Sequence, residues 1–288
     1  MQKSGDSKPL RKPQHQIKPG LQSKMDPQPI SDRAEIKGTG KLNGKVAVVT
    51  GGDSGIGRAV SILFAKEGAS VAIIYVSEKN DAEETGKSIA DYGSEFMLIQ
   101  ADISKEKNCI SSINKIIKRF GTIDILVNNA ATHTEQEKLE DISTAQLLQT
   151  FSTNVFSMFW ITRAALSEMK KGSSIINTTS VTAYRGSDKL IDYASTKAAI
   201  VGFTRSLSSN LISRGIRVNA VAPGPIWTPL IPSSFSAKKV AKFGSDVPMK
   251  RAGEPVEVAT CFLFLASNDA SYITGQVLHP NGGEIING

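Results

Sequence analysis

Apolar residues recur along this chain in two alternating rhythms. Short runs such as Lys45-Val-Ala-Val-Val-Thr50 are apolar at nearly every position, as a strand buried on both faces requires. Similar runs stand at Ser70–Val76, Phe96–Gln100, Ile123–Asn128, Ser174–Thr179, Ile216–Val221 and Gln276–His279. Between most of them the apolar positions recur every three or four residues, the period of a helix with one buried face. Val60, Leu63 and Phe64 form one such stripe, and Ile110, Ile113, Ile116 and Ile117 a second over Cys109–Phe120. Further helical patterns cover Leu147–Met169 and Ala194–Arg214, the latter through Ile200, Val201, Phe203, Leu207 and Leu211. Strands alternating with helices predict an α/β protein with a mainly parallel sheet covered on both faces. Right-handed crossovers then place the loops after the strand ends along one edge, where such folds bind ligands.

Residues 1–40 follow neither rhythm. They are rich in Pro, Gln, Lys and Ser, and too few apolar positions are present to offset the entropy of ordering them. They are expected to form an extension outside the fold, or an arm across a neighbouring subunit, with residues 41–288 as one domain. The net charge of +7 changes little in this picture. Eight Lys/Arg against four Asp/Glu put +4 in residues 1–40, leaving +3 for the rest. No basic stripe with interleaved aromatics follows, so nucleic acid is not an expected partner. No apolar run approaches the roughly 20 residues of a membrane span. No signal-peptide core is evident either, and a cytoplasmic protein is expected. Cys109 and Cys261 sit inside helical patterns as free thiols, with no metal-ligand spacing.

The chemistry gathers at the predicted strand ends. Gly51-Gly-Asp-Ser-Gly-Ile-Gly57 lies between the first strand and a helix. In that context glycines let the backbone approach a pyrophosphate, whose charge the helix N-terminus favours. The next strand ends where a dinucleotide fold reads the adenosine ribose, and Tyr75, Val76, Ser77, Glu78 and Lys79 there match neither the acidic nor the basic rule. NAD and NADP both stay open. Tyr193 and Lys197 stand four residues apart on one helix face, and Ser180 closes a strand thirteen residues earlier. Such a trio suits proton transfer at a carbonyl or hydroxyl oxygen. A free phenol, with a pKa of about 10, is a poor base, and a nearby ammonium favours its phenolate. Serine would hold the substrate oxygen.

These pieces together resemble the classical short-chain dehydrogenase/reductase family over residues 41–288. The matching segments are Thr50-Gly-Gly-Asp-Ser-Gly-Ile-Gly57, Asp102, Asn128-Asn-Ala-Ala131, Asn154, Ser180, Tyr193-Ala-Ser-Thr-Lys197 and Asn219-Ala-Val-Ala-Pro-Gly224. The glycine loop and long N-terminus resemble a bacterial subgroup labelled glucose/ribitol-type dehydrogenases. The resemblance implies a Rossmann-type doubly wound, seven-stranded sheet and an NAD(P)-dependent oxidoreductase acting on an alcohol, sugar polyol or small aldehyde or ketone. It implies Tyr193 as general acid/base, Ser180 on the substrate oxygen, and Lys197 on the nicotinamide ribose, lowering the tyrosine pKa. Asn154 would hold a water that relays protons through Lys197. The loop Gly51, Asp53, Ser54, Gly55, Ile56 and Gly57 would line the pyrophosphate, and Tyr75 the adenosine ribose. Asp102 and Ile103 would contact adenine, Asn129, Ala130 and Ala131 would pack near the ribose, and Pro223, Gly224, Ile226 and Thr228 would border the carboxamide. Ser54 replaces the basic residue common in NADP-preferring members, and Tyr75 the Asp common in NAD-preferring ones. A homotetramer is implied, with Leu147–Met169, Ala194–Arg214 and the C-terminal segment as interface candidates.

Several residues have two readings. His133 is either a substrate contact or a surface-loop histidine, and Trp227 either a substrate contact or a packing anchor. Tyr184 and Arg185 are candidates for the substrate wall, and Pro229–Arg251 for a mobile lid or a solvated helix face. A nucleotide-sensing protein without turnover is the competing function, and an epimerase or dehydratase on the same scaffold a third.

Overall fold

A computed structural model of the protein describes residues 9–286. Its centre is a seven-stranded parallel sheet in the order β3-β2-β1-β4-β5-β6-β7. The strands are β1 (Val46–Thr50), β2 (Ser70–Tyr75), β3 (Phe96–Gln100), β4 (Ile125–Asn128), β5 (Ser174–Thr178), β6 (Arg217–Val221) and β7 (Val277–Leu278). Alternate side chains enter opposite layers, as the two-residue period demands. Ala47 and Val49 of β1, with Val71 and Ile73 of β2, meet α1 (Gly55–Lys66), α2 (Lys79–Asp91) and α10 (Pro255–Ala266) through Val60, Phe64, Ile89, Phe262 and Leu265. Val48, Ala72 and Ile74 face the other layer, where α3 (Glu106–Phe120), α5 (Ser157–Ala165) and α7 (Ile191–Leu211) bring Ile113, Ile116, Ile161 and Leu211. Burial on both faces is why these strands read as unbroken apolar runs.

Two predicted elements differ in form. β7 is only two residues long, because the Gln276 amide donates to the Asn219 side chain (3.0 Å) and Pro280 follows. The Leu147–Met169 pattern is three pieces: α4 (Thr144–Phe151), a π-helical turn over Ser152–Phe156, and α5. The wide turn carries Asn154, and such turns inside α-helices are frequent at functional sites.

Residues 9–40 correct the expectation of a segment outside the fold. They lie along their own chain as an arm. Its order comes from polar latches rather than a hydrophobic stripe. The Gln16 amide donates to the Pro232 carbonyl (2.8 Å), Trp227 Nε1 to Pro27 O (2.8 Å), and the Val256 amide to Ile30 O (3.0 Å). Met25 is the apolar anchor, buried with Trp227, Ile231, Phe235 and Val240. Ile231 belongs to α8 (Leu230–Ser234) and Val240 to α9 (Ala237–Ala241), the two short helices of the 229–251 segment read as either a mobile lid or a solvated helix face. Leu10 and Arg11 both donate their amides to Ala241 O, so the arm straps that segment down.

Candidate active site

The carboxyl ends of β1, β2, β3, β4, β5 and β6 open into one cleft of about 950 Å³, roofed by α8, α9 and the arm. Gly51, Asp53, Ser54, Gly55, Ile56, Tyr75, Asp102, Ile103, Asn129, Ala130 and Ala131 line one end. Ser180, Tyr193, Lys197, Pro223, Gly224, Ile226 and Thr228 line the rest, so the predicted positions converge. Gly57 and Asn154 stand just behind the wall.

The glycine loop closes on itself so tightly that side chains are excluded. A Cβ on Gly57 would lie 1.9 Å from the Gly51 carbonyl oxygen, and one on Gly51 3.0 Å from Ala130 Cα. Gly51 and Gly55 hold φ of +60° and +54°, which glycine adopts without a side-chain penalty. Thr50 braces the opposite wall, its hydroxyl accepting from the amides of Asn129 (2.9 Å) and Ala130 (3.0 Å). The first amides of α1 have no acceptor inside the helix. One of them, Gly55 N–H, donates to Gln22 Oε1 of the arm (2.8 Å), while Ile56 lines the cleft. A glycine-lined wall at a helix N-terminus, an apolar slot by Ala101 and Ile103, and the hydroxyls on the cleft wall fit a dinucleotide.

At the adenosine end the structure adds an acidic cluster that sequence spacing did not show. Asp53 and Glu78 line the cleft and Asp81 is buried behind them. Burial pushes the Asp53 carboxyl up to about 7, its backbone hydrogen bond opposes this, and the charges of Glu78 and Asp81 add to the rise. The Gln22 amide donates to Asp81 Oδ2 (2.8 Å), whereas Asp81 Oδ1 is buried without a partner.

At the other end α7 and β5 bring Tyr193, Lys197 and Ser180 together. The Ser180 hydroxyl faces the Tyr193 phenol, and Lys197 Nζ stands 5.4 Å from the Tyr193 ring centroid. Burial raises the phenol to about 12, against the lowering effect of the Ser180 hydrogen bond. Burial also lowers the Lys197 ammonium to about 7, and Nζ donates to Thr178 O (2.8 Å). In the protein alone, then, Lys197 is committed to a backbone carbonyl. Asn154 is equally committed: Oδ1 accepts from the Thr132 amide (2.8 Å), and Nδ2 donates to Thr132 O (2.9 Å) and Thr196 Oγ1 (3.1 Å). Only a lone pair on Oδ1 is left to accept from a water.

Trp227 proves to be a packing anchor, fully buried beneath Arg11, whose guanidinium lies 4.3 Å from the ring centroid. Tyr184 packs on His279 (4.8 Å) and is absent from the cleft wall, while Arg185 lines it and pairs with Glu284 (3.4 Å). His133 lines the cleft in edge contact with Tyr193, ring centroids 5.0 Å apart. Lys18 and Gly20 of the arm line it too; nothing in their polar surroundings marks them in the sequence.

Comparison with known proteins agrees with this geometry. The family described as Enoyl-(Acyl carrier protein) reductase matches residues 51–284. A short-chain dehydrogenase from Burkholderia cenocepacia, solved in complex with NADP, superposes with a TM-score of 0.79 at 32% identity, covering 84% of this chain and 98% of that one. The chain is a short-chain dehydrogenase/reductase. It is an NAD(P)-dependent oxidoreductase. Among curated relatives, an uncharacterized oxidoreductase of Bacillus subtilis is 58% identical over 96% of both chains. The glucose and ribitol dehydrogenase of Daucus carota is 52% identical over 99% of both. The chloroplastic NADPH-dependent aldehyde reductase 1 of Arabidopsis thaliana is 50% identical, over 96% of this chain and 98% of that one. Among the described residues of this short-chain dehydrogenase/reductase, no helix is long and apolar enough to cross a membrane, and no cluster of His, Cys, Asp and Glu could hold a metal ion.

Proposed function

We propose that this oxidoreductase interconverts an alcohol, such as a sugar polyol, and the corresponding aldehyde or ketone, with Tyr193 as general acid/base. The observation that carries this reading is the convergence of half-buried Tyr193 with buried Ser180 and Lys197 at one point of a cleft whose other end is a dinucleotide cradle. Bound NAD(P) supplies or accepts the hydride and brings a cationic ring in its oxidised form. Ser180 donates to the substrate oxygen and orients it. Tyr193 gives its proton to that oxygen in reduction and takes it back in oxidation. Burial keeps the phenol protonated, which suits the acid role. The Lys197 ammonium, where protonated, favours the phenolate in the reverse direction. The roof of α8, α9 and the arm excludes water, which strengthens each of these interactions.

The names of the carrot and Arabidopsis relatives support a substrate from the polyol and aldehyde classes. The Arabidopsis enzyme is named for NADPH, and the Burkholderia structure holds NADP. In this chain the carboxylates of Asp53 and Glu78 stand at the adenosine end instead. They favour a free 2′-hydroxyl and repel a 2′-phosphate, so the reading here is NAD(H). A homo-oligomer fits the exposed Leu148, Phe156 and Phe159 on the α4–α5 rod.

The test is net reduction of NAD+ by polyols, or net oxidation of NADH by aldehydes, followed by absorbance. Cofactor binding with no net change for any polyol or aldehyde would support the sensing or internal-redox alternatives instead.

A further inference from the structure

His133 follows the Asn128-Asn-Ala-Ala segment at the end of β4 and is buried in the catalytic end of the cleft. Its backbone is gripped from both sides. Asn154 takes the amide and the carbonyl of Thr132 immediately before it. Lys18 of the arm donates to the His133 carbonyl and to Thr134 Oγ1. The ring is wedged between Tyr193, at 5.0 Å and 61°, and Phe235, at 5.3 Å. Two aromatic neighbours and a clamped backbone fix where the imidazole stands, yet the ring makes no hydrogen bond to any described residue. Nδ1 is sealed from solvent without a partner. A buried polar group left this way is costly and calls for an explanation.

We propose that His133 is a substrate-specificity residue whose ring hydrogen-bonds a second hydroxyl, on the carbon next to the reacting one, so that the substrates are vicinal polyols and their α-hydroxy carbonyl forms. The proposal rests on the oxidoreductase reading above and narrows its substrate class. The edge contact with Tyr193 places the imidazole beside the group that serves the reacting oxygen. An oxygen on the neighbouring carbon is therefore the one within reach. Burial, followed by the ammonium charges of Lys18, Lys197 and Lys239, drives the imidazole down to about 3, so the ring is neutral throughout the working range. With Nδ1 sealed, Nε2 is the ring nitrogen left for a ligand, and in the neutral ring it donates or accepts according to tautomer, either of which a hydroxyl can match. The surrounding ammonium groups disfavour an amine.

Lactaldehyde and propanal test this directly, because they differ only in the hydroxyl next to the reacting carbon. The wild type should reduce lactaldehyde with a kcat/KM at least about tenfold above propanal, the size of one lost hydrogen bond in a buried site. His133→Phe should remove that ratio, costing lactaldehyde at least about tenfold more in kcat/KM than it costs propanal, with NADH binding retained. His133→Gln, which keeps a donor and an acceptor, should restore most of it. If the Phe variant does not fold, His133→Leu takes its place, and the wild-type ratio stands as a test without any variant. A readout independent of turnover is the binding of propane-1,2-diol and propan-1-ol to the enzyme–NADH complex, where the diol should bind more tightly in the wild type only. Equal handling of the two aldehydes by the wild type, or a loss in His133→Phe that is the same for both, overturns the His133 proposal alone. Failure of the wild type to reduce either aldehyde or bind either alcohol overturns it together with the oxidoreductase reading of this site.

Discussion

The two ends of the cleft bury polar groups on different terms. At the catalytic end the buried polar groups behind Tyr193 have their partners within the protein: Lys197 on Thr178 O, and Asn154 on Thr132 and Thr196. At the adenosine end three carboxylates, Asp53, Glu78 and Asp81, are packed together and no lysine or arginine lines the wall beside them among the described residues. Compensation there comes from neutral donors, including a backbone amide of the arm on Asp81. The first arrangement fixes positions before substrate arrives, which is the condition for transition-state stabilisation without reorganisation. The second stores electrostatic tension that a ribose with two free hydroxyls would relieve by donating to it.

The contrast yields graded predictions. Lys197→Ala should cut kcat/KM by about 10²–10⁴-fold, since that end loses an ammonium beside Tyr193, the proposed general acid. Initial-rate kinetics check this, and a loss under tenfold would show that the end is less interdependent than its hydrogen bonds indicate. Glu78→Lys should shift the ratio of NADPH to NADH affinity upward by about tenfold, the equivalent of roughly 1.4 kcal/mol. Fluorescence titration of both cofactors measures it, and an unchanged ratio would remove the acidic end from cofactor choice.

Asp53→Asn gives the smallest and most pH-dependent effect. The free carboxyl titrates at 3.8 and the folded one at about 7, so burial costs nothing below the lower value. The cost grows as pH rises between the two and is complete above the upper one. Asparagine removes that cost. Its gain in Tm should therefore be largest at pH 8 and vanish near pH 4, and scanning calorimetry across that range would reveal a flat difference if Asp53 is not the source.

How much of this was legible follows the same division. The trio stands on two adjacent stretches, Ser180 at a strand end and Tyr193 with Lys197 one helical turn apart, so the spacing permits the meeting, and the glycine loop and the family resemblance made it specific. β1, β2, β4, β5 and β6 were visible because they are buried on both faces. The π-turn at Ser152–Phe156 was not, since its apolar positions continue the stripes of α4 and α5 and only the backbone widens. The arm was misjudged for a clearer reason. Apolar periodicity detects burial of side chains, while Gln22 is held by its amide group on Gly55 and by its own backbone on Asp81. Such polar latches join residues 33 and 59 positions apart and leave no periodic trace. Asp53 and Glu78 were each noted at the cofactor end, but only the packing of β2 against the glycine loop shows that they face one another's charge.

The central claim is that Tyr193 moves the proton in a cleft that the protein has already organised. Its most direct test is Tyr193→Phe, with NADH binding and polyol or aldehyde turnover measured on the same preparation. The account predicts unchanged cofactor affinity and a kcat lower by about 10²–10⁴-fold. Turnover near that of the wild type, with the cofactor still bound, would contradict it.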